Sequence, residues 1–403
     1  LSHLADSTGL GGPTRIARLA FWGPFRPLFF VLIGCLSPLS CSSASSAATG
    51  HARMPPPNLA KAPPFFWDQT LNVRAGFGYK DNLTLGPFDP EGSAFATAGF
   101  DLVLMRLSAT GSELTLLLFA DDWRYLDAES VDKENLVVAQ ARWKQPINPE
   151  WRHEGVFEYF HMNQVFDASI TETNRSSVKA KGHLARWRPG FRRDWSTNTH
   201  VDLQFGLGRQ YYQEPLDDYW EMGPRIAWEH RWSNRQALTL SYEYLYRPYD
   251  RRMATTSDGM SIPGTSLSFR QQEIVALWRM SWGQNGRWTS TSRAGIEINQ
   301  DNGAEYFDYL DYQASQQLRL RLRPWEMRAK IGWHYYDFEK QTADLSGLER
   351  RTRTAVDWNV RIERQWGSRT TLFVDYEQEH SLGSASYDQY RVRVLTGGLE
   401  LEF

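Results

Sequence analysis

The chain has 403 residues, a formal net charge of -2, 41% hydrophobic and 14% aromatic residues, among them 17 Trp, 18 Tyr and 21 Phe. Its near-neutral balance gives no electrostatic footprint for nucleic acid. A mean hydropathy of -0.54 excludes a bundle of membrane helices, yet so much Trp is unusual for a soluble enzyme and common where rings gather at two membrane interfaces.

Arg15, Arg18 and Arg26 precede the single long apolar run, FFVLIGCLSPL from Phe29 to Leu39, and the Ser/Ala-rich CSSASSAATG follows it. That order predicts a secretory signal over residues 1–48, cleaved near Ala44 to Ala48. Cleavage there removes Cys35 and Cys41, the only cysteines, and leaves neither disulfide nor thiol chemistry. A competing reading takes Leu32-Ile33-Gly34-Cys35 as a lipoprotein box and lipidates Cys35. The first residue is Leu1 rather than Met, which points to an alternative start codon or a truncated sequence. Residues 49–64, with Pro55, Pro56, Pro57, Pro63 and Pro64, form a proline-rich periplasmic lead-in too short for a domain. From Phe65 to Phe403 the composition does not change again, so residues 65–403 are expected to be one domain.

Within that domain apolar and polar residues alternate on nearly every segment. Val201, Leu203, Phe205 and Leu207 interleave with Asp202, Gln204, Gly206 and Gly208; Leu238, Leu240, Tyr242, Tyr244 and Tyr246 continue the pattern, as do Ile274, Ala276, Trp278, Met280 and Trp282. Leu318, Leu320 and Leu322 alternate with Arg319, Arg321 and Arg323, and Val356, Trp358, Val360 and Ile362 repeat it. Period two means strands, because a helix needs apolar positions three and four apart. The final strand, ending Leu399, Leu401 and Phe403, runs its apolar face to the last residue.

Connections take turns between two lengths. Short ones contain Thr110-Gly111, Pro146 to Pro149, Ser233-Asn234, Gly283 to Gly286, Arg323-Pro324 and Gly367-Ser368; long polar ones span Lys80 to Gly92, Asp127 to Glu134, Val165 to Ser176, Asp250 to Ser266 and Glu339 to Arg350. Trp143, Trp151, Trp187, Trp195, Trp232, Trp282, Trp288, Trp325 and Trp366 fall beside the short connections, and most of Tyr79, Tyr125, Tyr159, Tyr211, Tyr246, Tyr306, Tyr335 and Tyr387 beside the long ones. Two aromatic bands at opposite strand ends imply two interfaces. The expected fold is all-β, a transmembrane antiparallel β-barrel of about 16 strands with short turns in the periplasm and long loops outside. The alternative, a soluble β-sandwich or barrel with a Trp-rich core, gives no reason for Trp at one set of strand ends.

The stretch GFGYKDNLTLGP, Gly76 to Pro87, resembles the opening of outer-membrane β-barrel porin families, in which a Gly-x-x-Asp-Asn pattern leads the first strand into an outer loop; Gly78, Asp81 and Asn82 carry it here. The resemblance, with the terminal Phe403, implies a Gram-negative outer-membrane location and a pore but no particular solute. It also implies that Leu399, Leu401 and Phe403 serve as an assembly signal read by the barrel-insertion machinery. Outer-membrane lipid and that machinery are the expected partners.

Enzyme motifs are missing: Gly259-Met260-Ser261-Ile262-Pro263 lacks the second glycine of a nucleophile elbow, and no phosphate loop, zinc His-Glu-x-x-His or EF-hand occurs. His153 and His161 would share a strand face but lie ~26 Å apart, too far for one metal. No catalytic residue, metal or cofactor is therefore expected. If the apolar parity faces lipid, a basic ladder of Arg319, Arg321, Arg328, Lys330, Arg353, Arg361, Arg391 and Arg393 faces the lumen, with Lys179, Lys181, Arg142 and Lys144 added and Asp357, Glu363, Asp375, Glu377 and Glu158 opposing it. Such a ladder is either a set of ordinary ion pairs or a passage that favours anions weakly. The expected function is a passive, porin-like channel for small hydrophilic solutes. A secretion or exopolysaccharide-export barrel, and a non-conducting surface-structural or adhesion barrel, are the alternatives.

Overall fold

Alternation read from the residues becomes sixteen antiparallel strands in one closed ring. The structure, a computed structural model, describes residues 65–87, 90–108, 111–170, 177–343 and 349–403; the expected signal and lead-in lie outside them. In chain order the strands are β1 (Phe65–Lys80), β2 (Ser93–Ser108), β3 (Glu113–Tyr125), β4 (Lys133–Pro146), β5 (Trp151–Asp167), β6 (Ser177–Ser196), β7 (Thr199–Tyr212) and β8 (Tyr219–Ser233). There follow β9 (Gln236–Pro248), β10 (Ser268–Trp282), β11 (Trp288–Asp301), β12 (Tyr309–Leu322), β13 (Trp325–Thr342), β14 (Arg350–Trp366), β15 (Thr370–Gly383) and β16 (Tyr390–Glu402). Each strand pairs with its sequence neighbours, and β1 closes on β16. Among the described residues no helix is long and apolar enough to cross a membrane, a test that does not bear on strands.

Closure satisfies every edge, which is what a sheet needs where no water can pair its backbone. Strand lengths of 13 to 20 residues exceed the ~9 to 11 that a tilted bilayer crossing requires, so each strand is long enough for one with residues to spare. The short connections turn sharply, with Gly283 at φ 80° and Gly367 at φ 78°, a left-handed conformation that side chains with a Cβ rarely adopt. All the wide connections gather at the other end.

The two wall faces separate cleanly through the middle of the barrel. Outward stand Ile274, Trp278, Ile296, Leu318, Ile331, Trp358 and Val374, all exposed; inward stand Arg328, Glu326, Glu363, Glu158 and Arg188, all buried. Trp195, Trp232, Trp282, Trp288, Trp325 and Trp366 ring the short-turn end on the outer surface, as the spacing predicts. Tyr79, Tyr211, Tyr242 and Tyr312 stand exposed higher up.

The seam is made by β1 and β16 in register from Asn72 opposite Glu402 to Lys80 opposite Val394. Phe403 donates its N–H to the Leu71 carbonyl at 2.8 Å, while its ring stays 62% exposed. An exposed ring contributes little to packing, so its proposed role belongs to assembly. Deleting Phe403 is expected to cut the yield of barrel in the outer membrane severalfold while leaving the thermal transition of already folded protein almost unmoved, as read by heat-dependent gel mobility. Unchanged yield would make this residue an ordinary strand end.

Candidate functional site

Period-two geometry points alternate residues of every strand into the lumen, and in the middle of this barrel those residues are charged. On β12 to β14, Glu326 gathers three guanidinium groups: Arg319 at 2.8 and 3.0 Å, Arg328 at 3.0 Å and Arg321 at 3.6 Å. Arg328 also reaches Glu363 at 2.7 Å, and Glu363 takes a second bond from Arg361 at 2.7 Å. Arg361 continues to Asp375 at 3.1 Å and lies 3.8 Å from Glu400, and Lys330 pairs with Asp357 at 3.3 Å. Across the seam Arg74 bridges Asp101 at 3.0 Å and Asp121 at 2.8 Å. The chain of pairs therefore runs from β12 round to β3. Between Arg74, Phe119, Arg328, Arg361 and Glu377 it leaves a cavity of about 70 Å³, room for a few waters.

Two glycines make space for this wall. A Cβ on Gly99 would run into the Asp121 carboxylate and the Ala120 carbonyl, and one on Gly332 into the Asp357 carboxylate. The carboxylates lie over neighbouring strands only because those positions carry no side chain.

A second charged cluster lines β4 to β9. Glu158, fully buried, accepts from Arg188 at 3.0 and 3.1 Å and from Gln140 at 2.8 Å. Arg186 binds Glu221, and Arg225 lies 3.8 Å from Glu243. Of this cluster the sequence parity picks out Arg142 and Glu158, and it puts Glu243 on the polar face of β9; Arg186, Arg188 and Glu221 escape it, because β6 and β8 also carry Trp and Gly that blur the alternation. Buried ions like these need their partners: removing one member of such a pair typically costs ~3 to 5 kcal/mol.

Toward the wide end the wall changes character. Leu83, Leu85, Phe95, Trp123, Tyr125, Val131, Tyr390, Val392 and Val394 form one apolar cluster, and Tyr219, Tyr249, Leu267, Phe269 and Phe307 another. The loops fold in over the mouth. Residues 168–170, directly after β5, reach the opposite wall of the ring. Ile170 seats among Tyr309, Tyr336 and Phe338. Arg353 holds Asp167 at 2.5 Å and donates to Ser169 Oγ at 3.1 Å, Ser381 Oγ at 2.8 Å and the Tyr390 hydroxyl at 3.1 Å. Arg351 grips Asp388 at 2.5 and 2.8 Å and the Ser169 carbonyl at 3.0 Å. Both arginines are about 1% exposed. This is a latch across the lumen.

The ladder expected from the sequence thus divides three ways. Arg319, Arg321, Arg328, Lys330 and Arg361 come together on the inner wall. Arg353 also faces inward but works in the latch, near the mouth. Arg391 and Arg393 do not face the lumen: they stand exposed on the outer surface, where Arg393 meets Asp81 at 2.7 Å. The reason is physical. Tyr390, Val392 and Val394 pack inward against the loops, so near the mouth the apolar face is the inner one and the parity inverts. Lys179 and Lys181 point outward for the same reason, with Val178 and Ala180 packed inward beneath the loop. Leu399 stands exposed and Leu401 half-buried on the outer face of β16, beside Phe403. His153 and His161 lie on the outer face of β5, and among the described residues no group of three or more His, Cys, Asp or Glu could hold a metal.

No protein-family model matches the sequence, and no curated protein matches it. Among solved structures the chain is similar to Acinetobacter baumannii OccAB1, at 8% identity and a TM-score of 0.46 over 84% of this chain and 97% of that one. It is also similar to Pseudomonas aeruginosa OprD, at 11% identity and 0.43 over 85% and 97%, and to a bacterial polysaccharide outer membrane secretin, at 11% and 0.41 over 83% and 97%. Likenesses this distant concern barrel architecture and say nothing of cargo. In architecture the chain is a closed, sixteen-stranded antiparallel β-barrel of the kind the sequence periodicity predicts.

Proposed function

We propose that the protein is an outer-membrane channel, rather than an enzyme, through which small hydrophilic solutes diffuse along a narrow, charged lumen. The observation that carries this reading is the pairing of an apolar, aromatic-girdled outer wall with an ion-lined inner wall in one closed ring. Lipid is the natural environment of the first and water of the second. Export of a polymer fits less well, since Ile170 and two apolar clusters pack across the mouth.

Selectivity for anions should be weak. Arg319, Arg321, Arg328, Lys330 and Arg361 supply positive charge to the wall, but each has a carboxylate within 4 Å. What preference remains should fade as salt rises and the Debye length falls from ~10 Å at 0.1 M to ~3 Å at 1 M.

Liposomes carrying the refolded protein should swell in small sugars and exclude larger ones, and protease added to intact cells should cut within 250–266 while sparing 283–286. Vesicles as impermeable as protein-free controls would contradict the channel; cuts confined to the short turns would reverse its orientation.

A further inference from the structure

The parity inversion leaves cations on the lipid side of the wall. On the outer face of β5 and β6, His161 stands directly opposite His183, and Lys181 lies one outward position above His183. Tyr159 and Tyr211 flank His183, with ring centroids 6.4 and 5.5 Å away. Other outward charges nearby are matched: Lys179 bonds Asp132 at 2.7 Å and Arg124 bonds Asp122 at 2.5 Å. Lys181 has no ion-pair partner among the described residues and is exposed.

Height fixes what such groups can meet. His161 is about ten residues above Trp151, and ~3.3 Å per residue at a ~45° tilt makes that ~23 Å, close to the ~25 Å apolar band of such barrels. The cluster therefore sits where hydrocarbon gives way to headgroups. Beside it the wall is hollow. Two small outward residues, Ala98 on β2 and Ala120 on β3, open a depression of about 740 Å³ lined mainly by apolar side chains including Leu71, Val73, Phe100 and Val137, with Asp122, Asn135 and His161 also in its lining. A trough in hydrocarbon with one lysine ammonium and two imidazoles able to donate hydrogen bonds beside its upper rim is complementary to one kind of molecule, an acyl chain joined to a phosphate.

We propose that this outer face binds a phosphorylated lipid of the outer leaflet, its headgroup phosphate against Lys181, His183 and His161 and one acyl chain in the hollow. The proposal rests on the membrane-barrel reading above. A second copy docked face to face would bring two Lys181 ammonium groups together in an apolar surrounding, which argues against that occupant.

The test uses the full barrel in detergent, titrated with phosphatidic acid and with phosphatidylcholine of the same acyl chains, and reads bound lipid by native mass spectrometry. Phosphatidic acid should be retained roughly tenfold more strongly, and the triple variant His161→Gln, Lys181→Gln, His183→Gln should lose that preference. Ala98→Phe, which fills the hollow, should weaken retention of both lipids. Glycerol phosphate, which has no acyl chain, should not compete. Equal retention of the two lipids, an unchanged preference in the triple variant, competition by glycerol phosphate alone, or a stable oligomer that excludes lipid would each overturn the site. Insertion into phosphatidylcholine vesicles, read by heat-dependent gel mobility, keeps the two readings apart. A protein that inserts yet shows no phosphate preference defeats the lipid site alone, and one that never inserts defeats the membrane barrel and the site together.

Discussion

Replacing Arg353 with Gln is expected to raise single-channel conductance severalfold and to make residues near 167–170 newly sensitive to protease. Arg353 is the ion partner of Asp167 among the described residues, and it makes two of the four polar contacts that hold Asp167 and Ser169 to the opposite wall. Without it a buried carboxylate loses its counter-charge, a change worth ~3 to 5 kcal/mol in comparable sites. A shift of that size moves a loop equilibrium by more than about a hundredfold. The barrel itself should remain closed, because no strand pairing runs through the loop. Unaltered conductance would show that the latch lies beside the solute path rather than across it.

Glu326→Gln should act in the opposite part of the lumen and on selectivity. One carboxylate there is shared by Arg319, Arg321 and Arg328, and Glu326 and Arg328 are almost wholly buried. Neutralising it leaves three guanidinium groups around an amide that can accept but not balance their charge. Arg328 keeps Glu363, while Arg319 and Arg321 lose their nearest anion. The reversal potential in a salt gradient should move clearly toward anions, and thermal stability should drop by an amount on the order of 3 kcal/mol. The effect should be larger at 0.1 M than at 1 M salt, since screening shortens the reach of the unbalanced charges. Stability lost with selectivity unmoved would mean that solutes do not pass this wall.

The architecture was legible in the sequence because a barrel writes its geometry in period two. Leu318, Leu320 and Leu322 against Arg319 and Arg321 state which side is the outer wall, and the alternation of short and long connections sorts the turns to one end and the loops to the other. The charged wall was legible only where that rule is clean. Arg391 and Arg393 were assigned to the lumen because Val392 and Val394 look lipid-facing, yet those valines pack against Leu83 and Tyr390 under the loops. A strand that leaves the bilayer has no lipid side, and its apolar face turns to whatever covers it. The latch left no local trace either. Asp167 and Arg353 are joined across the ring, far apart in sequence, and only closure of sixteen strands brings them together. Gly99 and Gly332 were silent for a related reason: their role is to leave room for a carboxylate of the adjacent strand.

The central claim, a polar passage through a closed lipid-facing ring, is tested most directly by recording the refolded protein in a planar bilayer under a salt gradient. The account predicts discrete conductance steps, small because residues 167–170 reach across the lumen, with a reversal potential near zero. It would be contradicted by a protein that inserts into the bilayer and conducts nothing, both in its native form and with Arg353 replaced by Gln.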